Sequence, residues 1–249
     1  MSSSDSESFS NDDENVSVGS HRPITVLVPA NPGEVRGDYV LKIVRSVTNL
    51  TAHILIGATV GICVWFGFRN GLPLSATSIH IVLCVIGYQL LMAEAILCLS
   101  PDNSWTASYR VIDKKRAHWI LQIVGSALAI TGSFIKFANK TSHWNSLHGK
   151  FALVALVFTC MSLVNGLSSL YSHELRSVIP GNISKISHIC FGSIAFAAAS
   201  TSLCCGFNKH SFTSWATSPL AYTATAFTTI FTFIVIVSPL INFVKKIRR

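Results

Sequence analysis

Four histidines in this chain each open a long apolar stretch. His80 stands ahead of Ile81-Val-Leu-Cys, His118 ahead of Trp119-Ile-Leu-Gln and His188 ahead of Ile189-Cys-Phe-Gly. His148 closes the polar segment that starts at Thr141 and is followed, after Gly149 and Lys150, by the run Phe151 to Leu170. A neutral imidazole presents one nitrogen lone pair and is a common metal ligand. One such group near the start of each of four helices is a ligand set, because helical bundles build cofactor sites from side chains that face one another across their core.

The elements that must position these groups lie in a membrane. Half of the residues are apolar, 12% are charged and the mean hydropathy is +0.50, a balance that excludes an ordinary soluble domain. Six runs have the ~20 residues that cross a bilayer core, at about 48–68, 78–99, 118–137, 148–170, 187–207 and 220–243. The expected fold is an all-α integral membrane protein of six transmembrane helices, with helices 2–5 as a central four-helix bundle. The whole membrane domain spans 46–249. Residues 1–45, rich in Ser, Asp and Glu and carrying Pro23, Pro29 and Pro32, cannot bury enough apolar surface to offset their ordering entropy and read as a disordered tail. No signal peptide is read in them. The seven cysteines all fall within predicted helices, where they pack as small polarisable groups rather than form disulfides.

A net charge of +8 would suit nucleic acid, but the basic residues sit beside the apolar runs, so no nucleic-acid partner is expected and the charge reads as topology. Arg36, Lys42 and Arg45 precede the first run, Arg110, Lys114, Lys115 and Arg116 precede the third, Arg176 and Lys185 the fifth, and Lys245, Lys246, Arg248 and Arg249 follow the sixth. The alternate loops hold Arg69, then Lys136 and Lys140, then Lys209. The positive-inside rule places both termini in the cytoplasm. His80 and His148 then lie near the outer face, and His118 and His188 near the inner one.

A flat, wide ring such as a porphyrin also needs clearance on the helix faces below its ligands, at i+4 and i+7. Those positions are Cys84 and Gly87, Gln122 and Gly125, Ala152 and Ala155, and Gly192 and Ala195, none of them a large aliphatic. The reading is two bis-histidine haems b, one per leaflet, paired His80/His148 and His118/His188 and within tunnelling reach. Iron with two histidine ligands has no open position and carries electrons. Small residues also line membrane helix contacts for packing alone, which is the competing reading of the same positions.

His53 and Glu94 are ionisable groups within predicted spans and are site candidates by default. His53 reads as a hydrogen-bond donor near a ligand rather than as a ligand. Glu94 reads either as a proton or substrate contact or as a carboxylate reaching for the interface. Lys114, Lys115 and Arg116 abut His118, where they would draw an anionic substrate to whatever His118 binds. His143, with Lys140, sits on the outer face ahead of His148. His173 and His210 read as solvated.

The four histidines, the Ser146-Leu-His-Gly149 element, and the runs Met92-Ala-Glu-Ala…Ser100-Pro101 and His118-Trp-Ile-Leu-Gln122 resemble the cytochrome b561 family, most closely its short domain-containing-2 branch. The likeness covers about residues 45–249. It implies an ascorbate-dependent transmembrane oxidoreductase of the plasma membrane or an endomembrane. Such an enzyme takes electrons from cytoplasmic ascorbate and reduces monodehydroascorbate or ferric chelates on the far side. It also implies the two haem pairs above, Lys114, Lys115 and Arg116 as ascorbate-side residues and His143 as an acceptor-side one. Other branches carry a second histidine where this chain has Gln122. A homodimer is left open. The competing classes are a histidine-lined metal transporter, which would want ligands converging near the mid-plane, and a passive haem-anchoring subunit.

Overall fold

The computed structural model describes residues 32–171 and 181–247. Its helices are α1 Pro32–Phe68, α2 Ala76–Leu97, α3 Val111–Ala138, α4 Leu147–Leu170, α5 Gly181–Phe207 and α6 His210–Ile247, and no strand occurs among the described residues. All six are long and apolar enough to cross a bilayer. Large side chains such as Ile54, Trp65, Phe134, Val164 and Phe233 face outward, as they must where lipid rather than water is the solvent. The protein is an integral multi-pass membrane protein.

Local chemistry sets several of the helix ends. Ser75 caps α2, its hydroxyl accepting from the Ser78 N–H, and Ser146 caps α4 by accepting from Gly149 N–H. Pro32 at the first position of α1 costs nothing, since that N–H has no partner in any helix. The helix therefore starts well before residue 46, and the tail expected through residue 45 is helical from Pro32 on. Residues 1–31, His173, Arg176, Arg248 and Arg249 lie outside the described residues. The third helix also begins early, at Val111, with Asp113 in its first turn bridging Arg110 at 2.8 Å and Arg116 at 3.2 Å. In α6 the backbone breaks at Thr217, with φ 65° and ψ 158°, two residues before Pro219, whose ring rejects helical geometry in the turn before it.

Within the bundle α2 packs closely on α3, and α4 on α5, whereas the two hairpins approach each other far less. Gly87 and Gly125 set the first of these contacts. A methyl group added to Gly87 would come within 2.6 Å of the Gly125 oxygen and 2.8 Å of the Ala129 nitrogen, and one added to Gly125 within 2.9 Å of the Gly87 oxygen. These two glycines thus serve the backbone crossing of α2 and α3. This corrects the expectation that they clear space for a ring. The helices α1 and α6 flank the bundle, with Ala52, Ile56, Phe231 and Val235 packed on Tyr88, Met92 and Phe196.

Candidate cofactor site between two helix hairpins

The four histidines meet in two pairs across the gap between the hairpins. The rings of His80 on α2 and His148 on α4 lie 6.3 Å apart, centroid to centroid, at 90°. Those of His118 on α3 and His188 on α5 lie 6.1 Å apart at 87°. With metal–imidazole bonds of about 2.0 Å and a centroid about 1 Å behind its nitrogen, two imidazoles on opposite faces of one ion put their centroids about 6 Å apart. Both pairs meet that condition.

Each ring is oriented by a backbone carbonyl of its hairpin partner. Nδ1 of His80 donates to Gly132 O at 2.9 Å, His118 to Ala95 O at 2.7 Å, His148 to Ser202 O at 2.8 Å and His188 to Ser162 O at 3.0 Å. A carbonyl only accepts, so the proton of each neutral imidazole is on Nδ1 and the lone pair falls on Nε2. Outer hydrogen bonds of this kind fix the ring and raise its basicity as a ligand. The Ser202 hydroxyl, 2.8 Å from the His148 carbonyl, also lies 3.1 Å from its Nδ1, and the Ser162 hydroxyl lies 3.2 Å from Nδ1 of His188.

A spacing rule underlies these bonds. Ser162 follows His148 by fourteen residues, Ser202 follows His188 by fourteen and Gly132 follows His118 by fourteen. Four turns of helix take about 14.4 residues, so histidine and acceptor share a helix face at opposite ends. In α2 the interval from His80 to Ala95 is fifteen. The extra residue is taken up by a π-helical segment, Val85–Met92, whose wider turns restore the register. Five turns on from His148 and His188, Gly166 and Gly206 repeat the pattern. A methyl at Gly166 would sit 3.2 Å from Cε1 of His188, and one at Gly206 3.4 Å from Nδ1 of His148. Neither glycine was singled out from the sequence, although the interval of eighteen was there to be read.

The His80/His148 pair borders a cavity of about 510 Å³, lined also by Cys84, Ala152, Ala155 and Gly206. Ala152 and Ala155 thus stand where ring clearance was expected of them. Lys136, Lys140, His143, Trp144 and Lys209 also line it, and the His143 ring stacks on Phe137 at 4.1 Å and 21°. Between the two pairs, buried Tyr88 accepts from Thr159 at 3.4 Å and buried Gln89 accepts from Ser200 at 3.2 Å.

The basic run is not one cluster. Consecutive helical positions diverge by about 100°, and Lys114 turns inward, buried, with Nζ donating to Ser100 O at 3.1 Å. Arg116 is tied to Asp113, while Lys115 is exposed and makes no hydrogen bond or ion pair among the described residues. His53 meets Glu94: its Nδ1 lies 2.7 Å from Oε1, and its Nε2 lies 3.1 Å from Asn49 Oδ1. Trp105 donates to the other carboxylate oxygen at 3.1 Å.

Comparison with known proteins gives relatives and a family. The chain is similar to the transmembrane reductases CYB561D2 of Bos taurus, Mus musculus and Homo sapiens, each 27% identical over 192 residues that cover 75% of this chain and 84% of the relative. The model of the family described as eukaryotic cytochrome b561 matches residues 79–213, from one residue before His80 through His188 and into α6. A match over that much of the sequence shows that the chain belongs to the eukaryotic cytochrome b561 family.

Proposed function

We propose that this membrane oxidoreductase moves electrons, one at a time, from ascorbate on the cytoplasmic side to monodehydroascorbate or a ferric chelate on the other, through two haems b held by His118/His188 and His80/His148. The observation that supports it above all is the pairing: two sets of facing imidazoles, each with its proton committed to a backbone carbonyl, at opposite ends of one helix bundle. When bound, b-type haem supplies an iron that takes up and releases one electron without an open coordination position. The ends lie ~21 Å apart along α3, from the fourteen residues between His118 and Gly132 at 1.5 Å each.

The chain's own residues then do three things. Carbonyls at the far end of each hairpin partner hold the imidazoles in the ligating tautomer. Buried side chains fill the space between the pairs, the polar groups of Tyr88, Thr159, Gln89 and Ser200 bonded to one another there. Cations at the two faces favour anionic partners: Lys115 and Arg116 at the His118/His188 end, and Lys136, Lys140 and Lys209 at the rim of the His80/His148 cavity, where stacked His143 contributes on the acceptor side. The greater weight of basic residues at the His118/His188 end supports a cytoplasmic placement of that end. Metal transport is less well supported, because among the described residues no group of three or more His, Cys, Asp or Glu converges.

The test is vectorial turnover. Purified protein in vesicles loaded with ascorbate is expected to reduce an external ferric chelate and to show a ferrous b-type spectrum on the way. A protein that lacks haem, or that takes electrons from dithionite but never from ascorbate, contradicts the reading.

A further inference from the structure

At the His118/His188 end a polar cluster reaches from the first helix to the loop after α2. His53 of α1 faces Glu94 of α2 at 2.7 Å, and Asn49, one helical turn before His53, faces its other nitrogen at 3.1 Å. Trp105 of the α2–α3 loop holds the second oxygen of Glu94. Asn103 of the same loop is fully buried, and its Oδ1 accepts from the Trp105 N–H. The cluster touches the iron site through one peptide unit: the residue after Glu94 is Ala95, whose carbonyl orients His118. It is also reachable, since the side chains of His53 and Glu94 are 21% and 19% exposed.

We propose that the His53–Glu94 pair is the proton acceptor for the enediol donor that reduces the His118/His188 end, an assignment that rests on the function proposed above. An enediol monoanion such as ascorbate cannot give up one electron at low cost unless it also gives up its remaining hydroxyl proton. In the step, the donor O–H bond breaks and the proton binds Nε2 of His53. The electron would pass to the iron that His118 and His188 would hold, and the donor leaves as its radical anion. Imidazolium is satisfied as the side chains stand, giving one proton to Glu94 Oε1 and the other to Asn49 Oδ1. Neutral imidazole keeps its Nδ1 proton on Glu94, and its Nε2 lone pair is open to the donor once the Asn49 amide has turned aside. The proton arrives beside a carboxylate in a low-dielectric setting, so the pair becomes neutral overall as it forms.

The experiment compares two donors of one electron to the full, haem-loaded chain: ascorbate, which must also lose a proton, and hexaammineruthenium(II), which need not. His53→Gln is expected to slow stopped-flow haem reduction by ascorbate about a hundredfold, the scale of a lost proton acceptor, to abolish its solvent deuterium effect, and to leave reduction by the ruthenium complex unchanged. Ascorbate affinity, measured by calorimetry on dithionite-reduced protein where no electron can move, is expected to stay as in the parent. Glu94→Gln carries the same comparison with the imidazole retained and a smaller loss. Equal slowing with both donors, weakened affinity that accounts for the whole loss, or loss of haem in both variants would overturn the proposal and make the pair a structural bond between α1 and α2. A parent protein that ruthenium reduces but ascorbate does not would instead defeat the choice of donor, and this assignment with it. A parent reduced by ascorbate beside an unimpaired His53→Gln defeats this assignment alone.

Discussion

The carbonyl of Ala95 accepts the Nδ1 proton of His118 at 2.7 Å, and it can do so only because α2 holds one residue more between its histidine and its acceptor than α3, α4 and α5 hold. Straight α-helical continuation would turn Ala95 O about 100° away from α3. The π-helical segment Val85–Met92 is thus part of the site, although no residue in it ligates.

Deleting one residue from that segment, Leu90 for instance, is expected to let α2 relax to α-helix and swing Ala95 and Glu94 off the face that meets α3. The His118/His188 haem should be lost and the His80/His148 haem kept, which haem extraction and the Soret intensity would report as a drop from about two haems per chain to about one. Retention of both would mean that the π segment has no part in registering the site.

Gly166 and Gly206 give a matched pair of tests. A branched side chain at Gly206 would push into the ring of His148, and one at Gly166 into the ring of His188. Gly206→Val should therefore cost the haem of the first pair and Gly166→Val that of the second, each without removing a ligand. The two variants should be distinguishable by which midpoint disappears in a redox titration. Loss of the same haem in both would contradict the pairing of hairpins described here.

Gly87→Ala answers a different question. Its methyl group would meet the Gly125 carbonyl at 2.6 Å, so α2 and α3 must separate. The expected result is a protein destabilised by about 1–3 kcal/mol, seen as a lower thermal midpoint, with haem retained at low temperature. Unchanged stability would mean that the crossing gives way at no cost.

Lys114 and Lys115 should part company despite being adjacent. Lys115→Gln is expected to slow reduction by ascorbate and to flatten its salt dependence, since an exposed cation steers an anion over a Debye length of ~8 Å. Lys114→Gln removes the donor to Ser100 O and should lower stability by about 1–3 kcal/mol while leaving the salt slope alone. Identical kinetic effects in the two variants would restore the basic run as a single substrate patch.

Much of this was readable from residue types and spacing. Six apolar runs located the helices, and the opposed directions of α2 and α4 against α3 and α5 sorted the four histidines into the pairs that the rings form. What periodicity could not see was anything set by a neighbouring helix. Gly87 and Gly125 look alike whether they face a ring or another backbone, and only the crossing of α2 and α3 decides it. The inward turn of Lys114 depends on where α3 starts, and the sequence-based boundary at 118 lay seven residues late because the charged first turn, Asp113 through Arg116, hides the helix from a hydropathy window. The tie from His53 to Glu94 joins two residues 41 apart in the chain, which no local pattern encodes. The intervals of fourteen and eighteen, by contrast, were present in the sequence and needed only the idea that each ligand is held by the far end of its hairpin partner.

The most direct test of the account is a haem count on two double variants that each remove two ligands. His80→Ala with His148→Ala takes both ligands from one site, and His80→Ala with His118→Ala takes one from each. Pyridine haemochrome on the purified full chain is expected to give about one haem in the first variant, with its bis-histidine spectrum intact, and no bis-histidine haem in the second. An intact bis-histidine haem in the second variant, or none in the first, would contradict the pairing on which the proposed electron path depends.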